Sequence, residues 1–190
     1  MTEATPSVKL GAGEWDFQTP VRYPNVWTVE QTTGPQRLLV GPDSRHVEVL
    51  LSLAEVWGQD YYLLYMLLVP RRGTRETGRY QSPGPLSFEQ VAAFCRRFAP
   101  FLEGDGRHNL WIGSTVNAGL LIYDKHEWIN AYGDLPSYIE VLERQGFTEG
   151  QINLPLPHAH NYHAAFDAAE DELAAYWAWT RFPLQLDDDD

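Results

Sequence analysis

A single cysteine, Cys95, among 190 residues rules out an intramolecular disulfide, and with it the cross-linked scaffolds of small secreted domains. Long apolar runs are missing as well. The longest, Tyr61 to Val69, covers about half the roughly 20 residues that a transmembrane helix needs. The start, Met1-Thr2-Glu3-Ala4-Thr5-Pro6, has neither the basic cluster nor the apolar stretch of a signal peptide, so a cytoplasmic protein with no membrane partner is expected. Basic charge is also scarce. Fourteen Lys and Arg against 26 Asp and Glu leave a net charge of −12, and such a chain lacks the cations that neutralise phosphates, which excludes a general nucleic-acid binder. The sequence contains no Gly-x-Ser-x-Gly elbow, no phosphate-binding loop and no His-Glu-x-x-His zinc signature.

What is present describes a globular chain. The apolar fraction is 44% and the aromatic fraction 13%, enough to exclude disorder over most of the length. A chain of this size should bury about 70% of its unfolded surface around one core. The charge is uneven. Residues 1–95 carry eight basic and ten acidic side chains, whereas residues 96–190 carry six and sixteen, four of the acids forming the terminal run Asp187 to Asp190.

Local patterns outline the elements. Trp27–Glu30 and Arg37–Val40 flank the turn-rich Thr32-Thr33-Gly34-Pro35 and predict a hairpin. Asp43 and Ser44 precede a helical spacing that stops at Gly58, while the alternation in His46-Val47-Glu48-Val49 also permits a strand. Asp60 to Pro70 reads as a strand buried on both faces, followed through Pro85 by a long polar loop expected to be mobile. Ser87 caps a helix whose apolar face carries Phe88, Val91, Phe94, Cys95, Phe98 and Leu102, with Pro100 expected to shorten or kink its end. Strand-like segments at 109–113, 119–123 and 127–132 predict a three-stranded meander. Asp134 opens a helix over about 135–145, and a last helix is expected over 161–179. The fold class is therefore α+β: a single domain with an antiparallel sheet, its meander around 109–132, packed against several helices. Residues 1–25 are expected to form an irregular N-terminal arm, 26–182 the domain and 183–190 an acidic disordered tail.

Three groups of residues carry candidate chemistry. His158, His160 and His163 precede or open the last helix, and Asp167 lies one turn after His163, so these four are candidate ligands for a divalent metal. His158 and His160, if extended, are expected to need a local twist to point the same way. His126, in Tyr123-Asp124-Lys125-His126-Glu127, is a candidate general base oriented by Asp124 or Glu127. Arg71, Arg72, Arg75 and Arg79 form a basic loop suited to carboxylates or phosphates, and Trp177 and Trp179 crowd the chain end, so these six are candidate partner-binding residues. Cys95 reads as core.

Lacking a complete catalytic set, the chain is read first as a non-catalytic, acidic protein-binding module that needs no cofactor. Its size and charge would suit an immunity-like inhibitor of a partner with a basic surface, since charge complementarity accelerates encounter. No motif identifies such a family. The alternative is a metal-dependent hydrolase using His158, His160, His163 and Asp167.

Overall fold

The structure is a computed structural model that describes residues 8–13, 17–58, 60–73, 75–185 and 188. In chain order the strands are β1 (Leu10–Ala12), β2 (Thr19–Pro20), β3 (Val26–Glu30), β4 (Arg37–Gly41), β5 (Tyr61–Leu67), β6 (Gly78–Gln81), β7 (His108–Ser114), β8 (Leu120–Tyr123), β9 (Ile129–Tyr132), β10 (Thr148–Glu149), β11 (His158–His160) and β12 (Thr180–Phe182). The α-helices are α1 (His46–Ala54), α2 (Phe88–Gly104), α3 (Leu135–Arg144) and α4 (Asp167–Tyr176). Nine strands form one sheet in the order β10-β3-β4-β9-β8-β7-β5-β6-β12, antiparallel except where β10 meets β3. β11, β1 and β2 form a small second sheet. The α+β class is as expected, and among the described residues no helix is long and apolar enough to cross a membrane.

Strand alternation decides where the core lies. Tyr61, Leu63, Tyr65 and Leu67 of β5, Leu110 and Ile112 of β7, Leu121 and Tyr123 of β8, and Ile129 and Ala131 of β9 share one sheet face. That face packs against Leu50, Leu53, Val91, Phe94, Cys95, Phe98 and Leu142 from α1, α2 and α3. Each buried aliphatic side chain in such a core contributes about 1.5–3 kcal/mol. The meander pairs as expected, Ile112 facing Leu121 and Leu121 facing Ala131.

The helix ends show both local and long-range capping. Ser87 and Gln90 form a reciprocal capping box on α2, and Asp134 accepts from Ser137 N–H on α3. Pro100 does not shorten α2, which continues to Gly104. It deletes one bond near the end, to the carbonyl of Arg96 on the exposed side, where water can replace it. Neither Asp43 nor Ser44 caps α1. Arg45 sits at the N-cap in the left-handed region (φ 57°), and Glu103 from the end of α2 accepts the Val47 N–H at 2.7 Å instead.

Four segments differ from the sequence reading. The polar loop after Pro70 contains β6, which lies between β5 and β12. The last helix begins at Asp167 rather than Asn161 and ends at Tyr176. Residues 158–160 are taken by pairing with β1, and the chain turns extended at Trp177 to enter β12. Within the N-terminal arm, the described residues hold β1 and β2, with Lys9 and Leu10 almost wholly buried. Of the acidic tail, Asp188 is described and buried. It binds Arg79 and accepts the Gln185 N–H, while residues 186, 187, 189 and 190 lie outside the described residues.

A buried arginine docks α4. Arg107, fully inaccessible, makes a bidentate pair with Asp105 at 2.7 and 2.8 Å, bonds the carboxylate of Glu170, and donates to the His163 carbonyl at 3.0 Å. Arg71, Arg72 and Arg75 complete the attachment from the loop before β6, reaching Asp167 and Asp171. Arg107→Ala should cost about 3–5 kcal/mol in a urea melt, because it removes the guanidinium that neutralises the buried carboxylates of Asp105 and Glu170. Arg71→Ala, which removes a more exposed pair, should cost about 1 kcal/mol or less.

Candidate metal centre

The turn between β8 and β9 is built by Asp124. Its Oδ1 accepts the His126 backbone N–H at 2.8 Å and the His126 ring Nδ1–H at 2.5 Å, so one carboxylate shapes the turn and orients the imidazole. Burial alone would raise the Asp124 carboxyl; the hydrogen bonds from His126 outweigh it and hold the group below its ordinary value. Glu127 follows with φ 65° and closes the turn through its N–H to the Asp124 carbonyl. With Nδ1 committed to Asp124, His126 keeps Nε2 as a lone-pair donor.

The other half of the centre comes from β11. Residues i and i+2 of a strand face the same side, so extended His158 and His160 converge without any local twist, correcting that expectation. The His158 Nδ1 lies 3.0 Å from the Pro155 carbonyl, which can only accept, so Nδ1 carries the proton and Nε2 is free. His160 Nδ1 is buried with no hydrogen-bond partner among the described residues. Burial, with added repulsion from His126, Lys125 and His158, lowers the His160 pKa to about 4, so the ring is neutral near pH 7.

One ring nitrogen from each of His126, His158 and His160 lies within 4.8 Å of the other two. A tetrahedral ion with Zn–N bonds of about 2.0–2.1 Å would bring them to roughly 3.3 Å, a closure of up to about 1.5 Å by ring rotation. The donor set fits. The three rings are partly buried, two have their second nitrogen fixed by a carboxylate or carbonyl, and the third carries an orphaned buried nitrogen. Three neutral imidazoles suit Zn²⁺ and neighbouring transition ions better than Mg²⁺ or Ca²⁺, which prefer oxygen.

The four ligands expected from sequence are not brought together. His163 points to the N-terminal arm, its Nε2 2.9 Å from the Val8 carbonyl, and its N–H donates to Asp105. Asp167 is claimed by Arg71 and Arg107, and the Arg71 bond with its charge pulls the carboxyl down to about 2. His158 and His160 converge instead with His126, the residue singled out separately as a base. Asp124 orients that ring, as one of the two expected alternatives; Glu127 turns inward.

The partner-binding candidates are engaged within the fold. Arg71, Arg72 and Arg75 hold α4, and Arg79 binds Asp188. Trp177 stacks on Phe94 with centroids 4.8 Å apart, and Trp179 donates Nε1–H to the Leu173 carbonyl. Cys95 is buried as expected, and burial pushes its thiol up to about 12, far from a reactive thiolate.

Sequence reasoning missed a second buried polar group behind the turn. Lys9, 1% exposed, donates to the carbonyls of Leu102 and Asp124 at 3.2 Å each and lies 3.8 Å over the Tyr123 ring. Glu127 accepts the Tyr123 hydroxyl at 2.5 Å, and its Oε2 lies 3.2 Å from His46 Nε2. Burial and the Lys9 charge drive the His46 pKa down to about 3. A lone Lys between Val8 and Leu10 carries no local sign of this role.

The chain matches no protein-family model, no curated protein and no solved structure, so the functional reading rests on its own geometry.

The His46 shift makes stability depend on pH. Its folded pKa lies below the ordinary 6.5, so the unfolded chain binds the extra proton, and stability falls as pH drops from about 6.5 toward 3. The slope this residue adds is at most about 1.4 kcal/mol per pH unit. Denaturant melts between pH 7 and 4 should show the decline, and His46→Gln should flatten it.

Proposed function

We propose that this protein binds a divalent transition ion, zinc foremost, through His126, His158 and His160, and leaves a fourth position open to water or a small oxygen ligand. The observation that carries the reading is the convergence within 4.8 Å of three ring nitrogens, two from a strand of the small sheet and one from a turn of the large one. The carboxylate of Asp124 behind His126 and the Pro155 carbonyl behind His158 support it, because such partners fix the ring tautomer that a metal requires. A three-histidine ion with an open position lowers the pKa of a coordinated water toward 7 and polarises carbonyl or phosphoryl oxygens. This keeps the metal-dependent hydrolase reading, with His126 in place of His163 and Asp167. The alternative, an acidic module for a basic protein, has the net charge of −12 on its side, but its arginine and tryptophan candidates serve internal contacts.

Protein purified without a histidine tag should carry near-stoichiometric zinc after loading and dialysis, measured by elemental analysis. His160→Ala should lose it, and His163→Ala, outside the centre, should keep it. Equal zinc in wild type and His160→Ala would sink the proposal. Asp124→Asn should weaken zinc binding about 10- to 100-fold by replacing the charged acceptor of the His126 Nδ1–H with a neutral amide. If the open position activates water, the loaded protein should hydrolyse p-nitrophenyl acetate with a rate rising through about pH 7, and His160→Ala should not. Zinc retained without that activity would make the centre a binding site rather than a hydrolytic one.

A further inference from the structure

On the other side of the β8–β9 turn, a cleft of about 140 Å³ opens between the N-terminal strands and the start of α1. That is room for about five waters, or a molecule of free amino-acid size. None of the three metal-site histidines lines it.

The cleft is lined by an unsatisfied group. His46 is 8% exposed, and its Nε2, 3.2 Å from Glu127 Oε2, makes no hydrogen bond among the described residues. Buried polar atoms in native proteins are almost always paired, so an orphan at the wall of an open cleft marks where a ligand atom would bond. The charged groups around it are also only half used. Glu103 gives one oxygen to the Val47 N–H and Glu127 gives one to the Tyr123 hydroxyl, and among the described residues the second oxygen of each accepts nothing. Arg45 forms no ion pair among the described residues, and Arg22 makes only a 3.8 Å contact with half-exposed Asp43. Arg45 and Glu127, on opposite elements, are both held in the left-handed region, φ 57° and 65°. The rest of the lining is apolar at Val8, Leu10, Pro20 and Val21 and polar at Lys9, Asp43 and Ser44, with Asp43 beside Arg22 and the Lys9 ammonium turned to the Leu102 and Asp124 carbonyls.

We propose that this cleft binds a small zwitterion, a free α-amino acid with a short side chain, its carboxylate at Arg22 and Arg45 and its ammonium at Glu103 and Glu127. A simple anion would meet the carboxyl groups of Asp43, Glu103 and Glu127, and a simple cation the two guanidinium groups and Lys9; a zwitterion satisfies both signs at once. His46 Nε2 then receives the hydrogen-bond partner that the fold does not provide, and the side chain rests on Leu10 and Pro20.

The test follows the His46 imidazole by NMR, its resonances assigned by comparison with His46→Gln, while the whole protein is titrated with L-alanine in the presence of a chelator. Acetate and methylammonium serve as single-charge controls. L-alanine should give a saturable shift, neither control should do so at the same concentration, and Arg45→Gly should weaken the L-alanine response about tenfold. Glycine suits that position because the backbone is left-handed there, so the variant keeps the native fold. Arg22→Ala should weaken it by a similar factor. No saturable shift from L-alanine, glycine or L-serine would overturn the proposal, as would acetate matching L-alanine.

Discussion

The ammonium of Lys9 is the contact on which the candidate sites depend. It is buried where a bare charge would be costly, and what keeps it there is a pair of carbonyls, one from the last turn of α2 and one from Asp124, with the Tyr123 ring beneath. The first acceptor lies at a helix C-terminus, where a cation is favoured. The second belongs to the turn that carries His126. The Lys9 carbonyl accepts from Asn161 N–H, beside the end of β11, while Leu10 pairs with His160. One residue therefore ties the strand of His158 and His160 to the turn of His126.

A centre assembled this way exists only in the folded chain. Its ligands come from two sheets, and the unfolded state has no preformed site, so the free energy of metal binding adds to folding stability. Arg107 performs the matching task on the far side of β11. It draws the His163 carbonyl and α4 against Asp105, and this turns His163 away from the histidine cluster and spends Asp167 on arginine. The ion pairs thus decide which histidines remain free to meet.

Charge also reads differently once folded. The arginines of β6 and the loop before it look like a basic patch in an acidic chain, yet each faces a carboxylate of α4 or Asp188. Exposed pairs of this kind contribute little individually. Here they fasten a segment whose sequence, full of Gly and Arg, otherwise suggests mobility. The tryptophans at the chain end behave alike, Trp177 stacking on Phe94 and Trp179 meeting both edge-on, where an interface would have needed them free.

The sequence by itself determined whatever depends on near neighbours. The β3–β4 hairpin, the β7–β8–β9 meander, the capped starts of α2 and α3, and buried Cys95 all follow from periodicity and turn residues a few positions apart, because those patterns encode local backbone preference and one buried face. The two halves of the metal cluster were legible separately, as His-x-His and as a histidine in a turn. Recognising that a strand puts i and i+2 on one face would have paired His158 with His160. Only the tertiary structure decided that His126 completes them, that Glu103 caps α1, and that Lys9, His46 and Glu127 share a buried wall. These contacts join residues far apart along the chain, and their energy comes from burial and charge pairing that exist only after the sheets and helices have packed.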